Sequence, residues 1–219
     1  MKHRLREMLR DGDLDGLVDA AVRKRRILGS LVSQTFDPEP LICWRAIEAM
    51  GLVARRIAED DPDYVREHLR RLNWMLTEES GGICWRAPEA IAEIVRHRPK
   101  LFAEYIPIVV FLILNLAEED LDHFRAGILW AIGRLGALAG DHIPAVLPAI
   151  TSALDDPGAQ ARGMAGWCLG QVGRADLLRD RPDLLSDEGP VDQYQNRDIH
   201  QTTVGQVVQQ ALRDAPAGR

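Results

Sequence analysis

The sequence predicts an all-α fold, an α–α superhelix or solenoid of about four helical hairpins with a cap at each end. The first observation is an internal repeat: the pentapeptide Ile-Cys-Trp-Arg-Ala at residues 42–46 returns at residues 83–87. The second is that apolar residues at helical spacing precede each copy. Internal periods of about 20–50 residues are typical of stacked-repeat proteins.

Three residue columns keep their spacing over four copies of the repeat. An acid lies six residues before the Cys position, and a tiny residue lies eight residues after it. The acids are Asp37, Glu78, Glu119 and Asp156, and the tiny residues are Gly51, Ala92, Gly133 and Gly170. The Cys position itself is occupied by Cys43, Cys84, Arg125 and Arg162. The repeat therefore extends across most of the chain.

Each copy predicts two helices joined by a short turn. The first helix carries an apolar column made of Leu31, Leu72, Ile113 and Ile150. The acid lies in the turn, where we expect it to cap the second helix by accepting from free backbone N–H groups. The second helices should begin at Ile42, Ile83, Phe124 and Ala161. The tiny residue near the end of each second helix predicts close approach of the next hairpin, because one hairpin cannot bury its apolar face alone.

The fourth copy, residues 154–170, resembles the HEAT repeat, and in particular the HEAT-like variety named after phycobilisome lyases. The pattern of that family is Leu-x-Asp, four residues, an apolar residue followed by Arg, and a closing Leu-Gly. The matching residues of the fourth copy are Asp156, Arg162, Leu169 and Gly170. Cys43 and Cys84 depart from the pattern, since they occupy its Arg position. The resemblance covers residues 23–173 and implies a fold rather than a function.

We predict one HEAT-like domain over residues 1–219. Its parts are an N-terminal cap at 1–22, repeats at 23–59, 63–98, 99–139 and 142–174, and a C-terminal cap segment at 175–219. The N-terminal cap should contain two short helices, Lys2–Arg10 and Leu14–Val22, and Asp13 is placed to cap the second. Pro62 suits the first turn of a helix, and Pro88 should either lie near a helix start or kink the helix, because proline lacks the N–H that a helix interior requires.

Beyond Arg174 the period is lost. Residues 176–185 predict one more short helix, and the polar stretch 191–201 predicts a short β-hairpin that turns at 195–197. Thr203 and Gln206 have the spacing of a capping box, which predicts a last helix after them.

Composition limits the classes of function. The formal net charge is −6 and the isoelectric point is about 5.5. An acidic chain is a poor candidate for a protein that grips nucleic acid by its phosphates. The Cys usage, the charged N-terminus and the absence of a 20-residue apolar run lead us to expect a cytoplasmic protein with no membrane segment.

We expect the second helices to line the concave face of the solenoid and to form a binding groove there. The predicted groove residues are Trp44, Arg45, Glu48, Trp85, Arg86, Glu89, Trp130, Arg134, Trp167 and Gln171. Trp and Arg are the residue types most enriched at binding hot spots. Trp faces offer apolar area, and Arg offers forked donors to carboxylate or phosphate.

A structural role for the same residues is the competing interpretation. Tryptophans at helical spacing often belong to a core. Arg45 can pair with Glu48 or Glu89, and Arg86 can pair with Glu89 or with an acid of the third repeat. The C-terminal segment 186–201 can also fold back into the groove, and the groove would then be structural.

The sequence supports two functional hypotheses. The first is a non-catalytic scaffold that binds a partner protein or peptide in the groove, with no cofactor and no metal. The second is an enzyme, because the resemblance extends to HEAT-like bilin lyases and to HEAT-like DNA glycosylases that remove alkylated bases. The acidic charge argues against the glycosylase, and the His, Cys and carboxylate residues show no spacing typical of a catalytic or metal site.

Overall fold

The computed structural model describes residues 2–77, 86–116 and 124–215, and its helices follow the predicted repeats. The helices are α1 (Lys2–Asp11), α2 (Leu14–Arg23), α3 (Ile27–Val32), α4 (Pro40–Ile57), α5 (Pro62–Thr77), α6 (Ala87–His97), α7 (Pro99–Phe102), α8 (Ile106–Asn115), α9 (Arg125–Leu135), α10 (Ile143–Ser152), α11 (Ala159–Gln171), α12 (Pro182–Leu185) and α13 (Val204–Asp214). Strands β1 (Pro190–Gln195) and β2 (Asp198–Thr203) pair as a two-stranded sheet.

Two compact units make up the chain. Unit 1 contains Met1–Tyr105 and Tyr194–Ile199, and unit 2 contains Ile106–Gln193 and His200–Arg219. The all-α fold class is confirmed, with one small sheet added. The prediction of a single domain over 1–219 stays a prediction.

Three of the predicted signals at helix starts are confirmed. The Asp13 carboxylate accepts from the Gly16 N–H at 2.9 Å at the start of α2. Helix α5 begins at Pro62. Thr203 and Gln206 form both bonds of the capping box that opens α13. These bonds satisfy N–H groups that have no partner within the helix.

Helix α4 is the centre of unit 1. It packs against α2, α3 and α6, and for that reason it is buried on several sides. Its buried residues are Ile42, Cys43, Ala46, Ile47, Ala49, Met50, Gly51, Val53, Ala54 and Ile57. Gly51 marks the contact with α6, since a Cβ there would lie 2.7 Å from the Glu93 carbonyl oxygen.

In unit 2, α11 packs between α9 and α13. A Cβ on Gly133 of α9 would overlap the Trp167 ring on α11. A Cβ on Gly170 of α11 would lie 2.8 Å from the Ala211 Cβ on α13. Together with Gly51, these positions confirm the close approach of the next helix at the three glycines of the tiny column.

Arginines on helices pair with aspartates that lie outside the helices in the adjoining repeat or cap, and we call these pairs the Arg–Asp ladder. Its members are Arg6–Asp37 in unit 1, and Arg125–Asp156 and Arg162–Asp187 in unit 2. Hydrogen bonds from the guanidinium groups hold the pKa values of Asp37 and Asp187 below their usual range. Charge-assisted bonds of this kind are about twice as strong as neutral ones.

The prediction that the acid caps the second helix is wrong for the two acids that are described. Helix α4 has Glu39 as its N-cap and α11 has Gly158, and neither end has a side-chain capping bond. Asp37 and Asp156 instead accept from the N–H two residues on, at 3.0 and 2.8 Å. The acid shapes the turn before the helix, as Asp side chains do in Asx turns. Glu78 and Glu119 lie outside the described residues.

Cys43 makes only one of the two kinds of contact that arginine makes at this repeat position. In the fourth copy, Arg162 donates to the Asp156 carbonyl at 2.8 Å and to the Asp187 carboxylate at 2.7 Å. Cys43 donates its Sγ–H to the equivalent carbonyl, that of Asp37, at 3.0 Å. A thiol is too short to reach an acid in the next repeat, so Cys43 makes no ladder contact of the arginine type.

The second helix of the second copy begins later than predicted. It was expected at Ile83, but α6 begins at Ala87, with Arg86 as its N-cap in the left-handed region (φ 50°). Pro88 explains the shift, because its ring clashes with the carbonyl four residues earlier and removes a donor. Pro88 therefore lies near the start of α6, which was one of the two positions expected for it.

The C-terminal segment is partly as predicted. The predicted helix at 176–185 is a 3₁₀ turn at Ala175–Leu178 followed by the short α12. The hairpin is confirmed, with its turn at Asn196 and Arg197. None of the described helices is long and apolar enough to cross a membrane.

Substituting Gly133 by Ala should destabilise the protein by about 1–3 kcal/mol, because the added methyl group overlaps the Trp167 ring in a packed contact. Urea unfolding followed by circular dichroism would measure the change. The matched control is Gly29→Ala in α3, where no atom lies within 4 Å of the new Cβ. That change should be neutral or stabilising by up to about 1 kcal/mol. Equal losses in both variants would contradict the close-approach account.

Candidate functional site

Helix α4 carries three of the predicted groove residues on adjacent positions of one face. Trp44, Arg45 and Glu48 are all half-buried, and we call them the α4 surface. Glu48 lies one helical turn after both other residues, at i+4 from Trp44 and at i+3 from Arg45, so it is a neighbour of each. An aromatic plane, a forked donor and a carboxylate are therefore available together.

The segment in contact with the α4 surface is the turn of the β-hairpin, residues 194–199, which belongs to unit 1. Asn196 and Arg197 both have positive φ, 53° and 65°. This is the pattern of a type I′ turn, whose twist matches that of the flanking strands. Asn tolerates the left-handed region, whereas Arg does so at a cost that surrounding contacts must offset.

Tyr194 provides the apolar contact. Its ring stacks on Trp44, with centroids 5.6 Å apart and an interplanar angle of 11°. Its hydroxyl donates to Glu48 Oε2 at 2.6 Å. Burial, and then the hydrogen bond to the Glu48 carboxylate, raise the pKa of Tyr194 well above its usual value. The tyrosine therefore remains a neutral donor at physiological pH.

Arg45 provides the main-chain contact. Its Nε donates to the Arg197 carbonyl at 2.9 Å. Its Nη1 donates to the Leu9 carbonyl at 3.0 Å and also to the Arg10 carbonyl. Leu9 and Arg10 lie in the last turn of α1, where carbonyls lack helical partners. One guanidinium thus ties the end of α1 to the hairpin turn.

Carboxylates face the Arg197 side chain. Glu48 Oε1 lies 3.7 Å from Arg197 Nε, and Asp15 Oδ1 lies 3.5 Å from Nη2. These distances describe weak, partly exposed ion pairs, which contribute little stability in water. They do favour a cation at this position of the turn.

The predicted groove residues of the second copy are only partly comparable with those of the first. Arg86 lies over the Trp44 ring, 4.6 Å from its centroid, and is 3.5 Å from Glu89 Oε1. Glu89 was expected in the groove, but it is buried, and desolvation raises its pKa against the opposing effect of Arg86. The later start of α6 accounts for the loss of equivalence. Trp85 lies outside the described residues.

In unit 2, the predicted groove residues mainly contact one another. Trp130 was expected to face the groove, but it is only 3% exposed. It stacks on Trp167 at 6.5 Å between centroids, and the Arg134 guanidinium lies 5.3 Å from the centroid of the Trp130 ring. Gly133 leaves the space that Trp167 occupies. Trp167 and Arg134 are half-buried, and Gln171 is exposed at the end of α11.

The sequence did not identify Tyr194 and Arg197 as partners of the α4 surface. It did predict the hairpin, and it allowed segment 186–201 to enter the groove. The available signal was a large aromatic residue, Tyr194, in an otherwise polar stretch. In the described part of the chain, no group of three or more His, Cys, Asp or Glu residues is placed to hold a metal ion.

Helical hairpins with tiny residues at their contacts and Arg–Asp pairs along their turns define a helical-repeat protein. Residues 122–172 match the family model described as the HEAT-like repeat. This match confirms the resemblance predicted from the fourth copy. The described part of the matched stretch contains α9, α10 and α11.

Similar proteins have been found by sequence and by structure. An uncharacterised protein of Archaeoglobus fulgidus is 30% identical over 114 residues, which are 52% of this chain and 56% of that protein. This chain thus spans little more than half of that relative. A designed armadillo repeat protein is 18% identical with a TM-score of 0.49, over 98% of this chain and 93% of its own. The archaeal HEAT-like repeats protein from Thermococcus onnurineus NA1 is 17% identical with a TM-score of 0.38, over 98% and 80%.

Substituting Arg45 by Met should loosen the hairpin turn, since the Arg197 carbonyl then loses its guanidinium donor. A hydrogen bond to a charged group is worth about 1.5–3 kcal/mol. We therefore expect backbone amides of residues 190–203 to exchange about tenfold faster or more in hydrogen-exchange mass spectrometry. Arg55→Met, at an exposed position of the same helix, is the control. Unchanged exchange in Arg45→Met would contradict the assigned contact.

Proposed function

We propose that the protein is a non-catalytic scaffold that binds a partner protein or peptide through the faces of its second helices. The observation that carries this proposal is that the α4 surface already holds a peptide turn of the chain itself. Trp44 takes an aromatic side chain, Arg45 takes a main-chain carbonyl, and Glu48 takes a hydroxyl and a cation. These are the elementary contacts of peptide recognition.

The second helices of unit 2 support the same proposal. Trp167 and Arg134 are half-buried beside the exposed Gln171. Their stacking and cation–π contacts hold the aromatic rings in fixed orientations. Rigid aromatic and arginine side chains bind partners with little loss of conformational entropy. The net charge of −6 favours a protein partner over nucleic acid.

Site-specific photo-crosslinking in the native cell tests the scaffold proposal. A photoreactive benzoylphenylalanine at position 171 of α11 should capture one discrete partner protein, identified by mass spectrometry. The matched control carries the same residue at position 145, which is exposed on α10, the first helix of the fourth repeat.

The captured protein, once purified, should bind the wild type. Its affinity for the Arg134→Ala variant should be lower by about tenfold or more. Arg179→Ala, at an exposed position after the repeats, should bind as the wild type does. Absence of any adduct at position 171 above the control would count against the proposal.

A further inference from the structure

The hairpin turn presents to the α4 surface two side chains that are three residues apart. Tyr194 contacts Trp44 and Glu48, and Arg197 is close to Glu48 and Asp15. Between them, the backbone reverses at Asn196 and aims the Arg197 carbonyl at Arg45. The α4 surface is thus complementary to a tight turn of the form Tyr-x-x-Arg.

Most of the turn is exposed or half-buried. Among residues 194–199, Tyr194 is the only buried one, and β2 contains no buried residue at all. An isolated two-stranded hairpin is at best marginally stable in water. The ion pairs of Arg197 are long and partly exposed, so they add little. The stacking of Tyr194 and the hydrogen bonds of Arg45 and Glu48 join this segment to the α4 surface.

We propose that residues 194–199 are an internal ligand that a partner protein displaces, and that the partner contributes a tight turn with tyrosine followed three residues later by arginine. This inference rests on the proposed scaffold function and specifies its ligand. The tyrosine ring would stack on Trp44 and its hydroxyl would donate to Glu48. The arginine would face Glu48 and Asp15, and Arg45 would bind a carbonyl of the turn.

Competition with the internal turn sets the apparent affinity for such a partner. A ligand that needs the open surface binds more weakly by the fraction of molecules in which that surface is open. Any change that releases residues 194–199 without altering the α4 surface should therefore strengthen binding in trans. Tyr194→Ala is such a change, because Tyr194 belongs to the internal ligand and not to α4.

Fluorescence anisotropy with a labelled, head-to-tail cyclised peptide of residues 190–203 tests the inference on the full-length protein. The Tyr194→Ala protein should bind the peptide about tenfold or more tightly than the wild type. Tyr194→Phe, which loses only the bond to Glu48, should fall between them. Gln201→Ala, an exposed change in β2, should match the wild type. Circular dichroism on each variant establishes that it is folded.

The recognition motif is tested by changing the probe. A cyclic peptide with Arg197→Glu, or with Tyr194→Ala, should lose binding to the Tyr194→Ala protein. Equal binding of the original peptide to the wild type and to Tyr194→Ala would overturn the inference, as would indifference to the peptide changes. A wild-type dimer that forms by hairpin exchange, detected by light scattering, would also overturn it in favour of a second copy as occupant. In each of these cases, crosslinking at position 171 still decides the scaffold proposal separately.

Discussion

Close approach between neighbouring second helices is the constraint on which the packing of each unit depends. Helices normally pack with their axes about 8–10 Å apart, and only the smallest side chains allow the lower end of that range. Gly51 meets the backbone of α6 at Glu93. Gly133 leaves room for the Trp167 ring, and Gly170 meets Ala211. Bulkier residues at these three glycines would separate the helices and expose the apolar faces that the stacking buries.

The Arg–Asp ladder reinforces this packing at the turns. Each arginine reaches an acid of the adjoining repeat or cap, and each described acid also shapes its own turn through a backbone N–H. Cys43 interrupts the pattern because it keeps the backbone contact and lacks the reach to the next acid. The substitution removes an arginine from α4 next to the α4 surface. Near Cys43, the Arg45 guanidinium donates to carbonyls of α1 and of the hairpin turn.

Periodicity allowed the helical repeats and the role of the tiny column to be predicted from the sequence, because both follow from packing that recurs in every copy. The candidate site was less predictable, because it depends on departures from the repeat. Pro88 delays the start of α6. As a result, Arg86 is the N-cap of its helix, whereas Arg45, at the same repeat position, lies inside α4. Trp130 occupies the repeat column of Glu48, which is half-buried on α4, yet Trp130 is buried and stacked on Trp167. Nothing in the repeat itself indicates that Tyr194, which lies beyond the last repeat, contacts Trp44.

The measurement that tests the central claim most directly is aromatic NOE spectroscopy of the full-length protein with selectively labelled Tyr and Trp. The claim is that the chain's own turn occupies the α4 surface in solution. It predicts strong cross-peaks between the Tyr194 ring and the Trp44 indole, since their centroids are 5.6 Å apart. Absence of these cross-peaks, with a Tyr194 hydroxyl that ionises near its usual pKa of 10, would contradict the account.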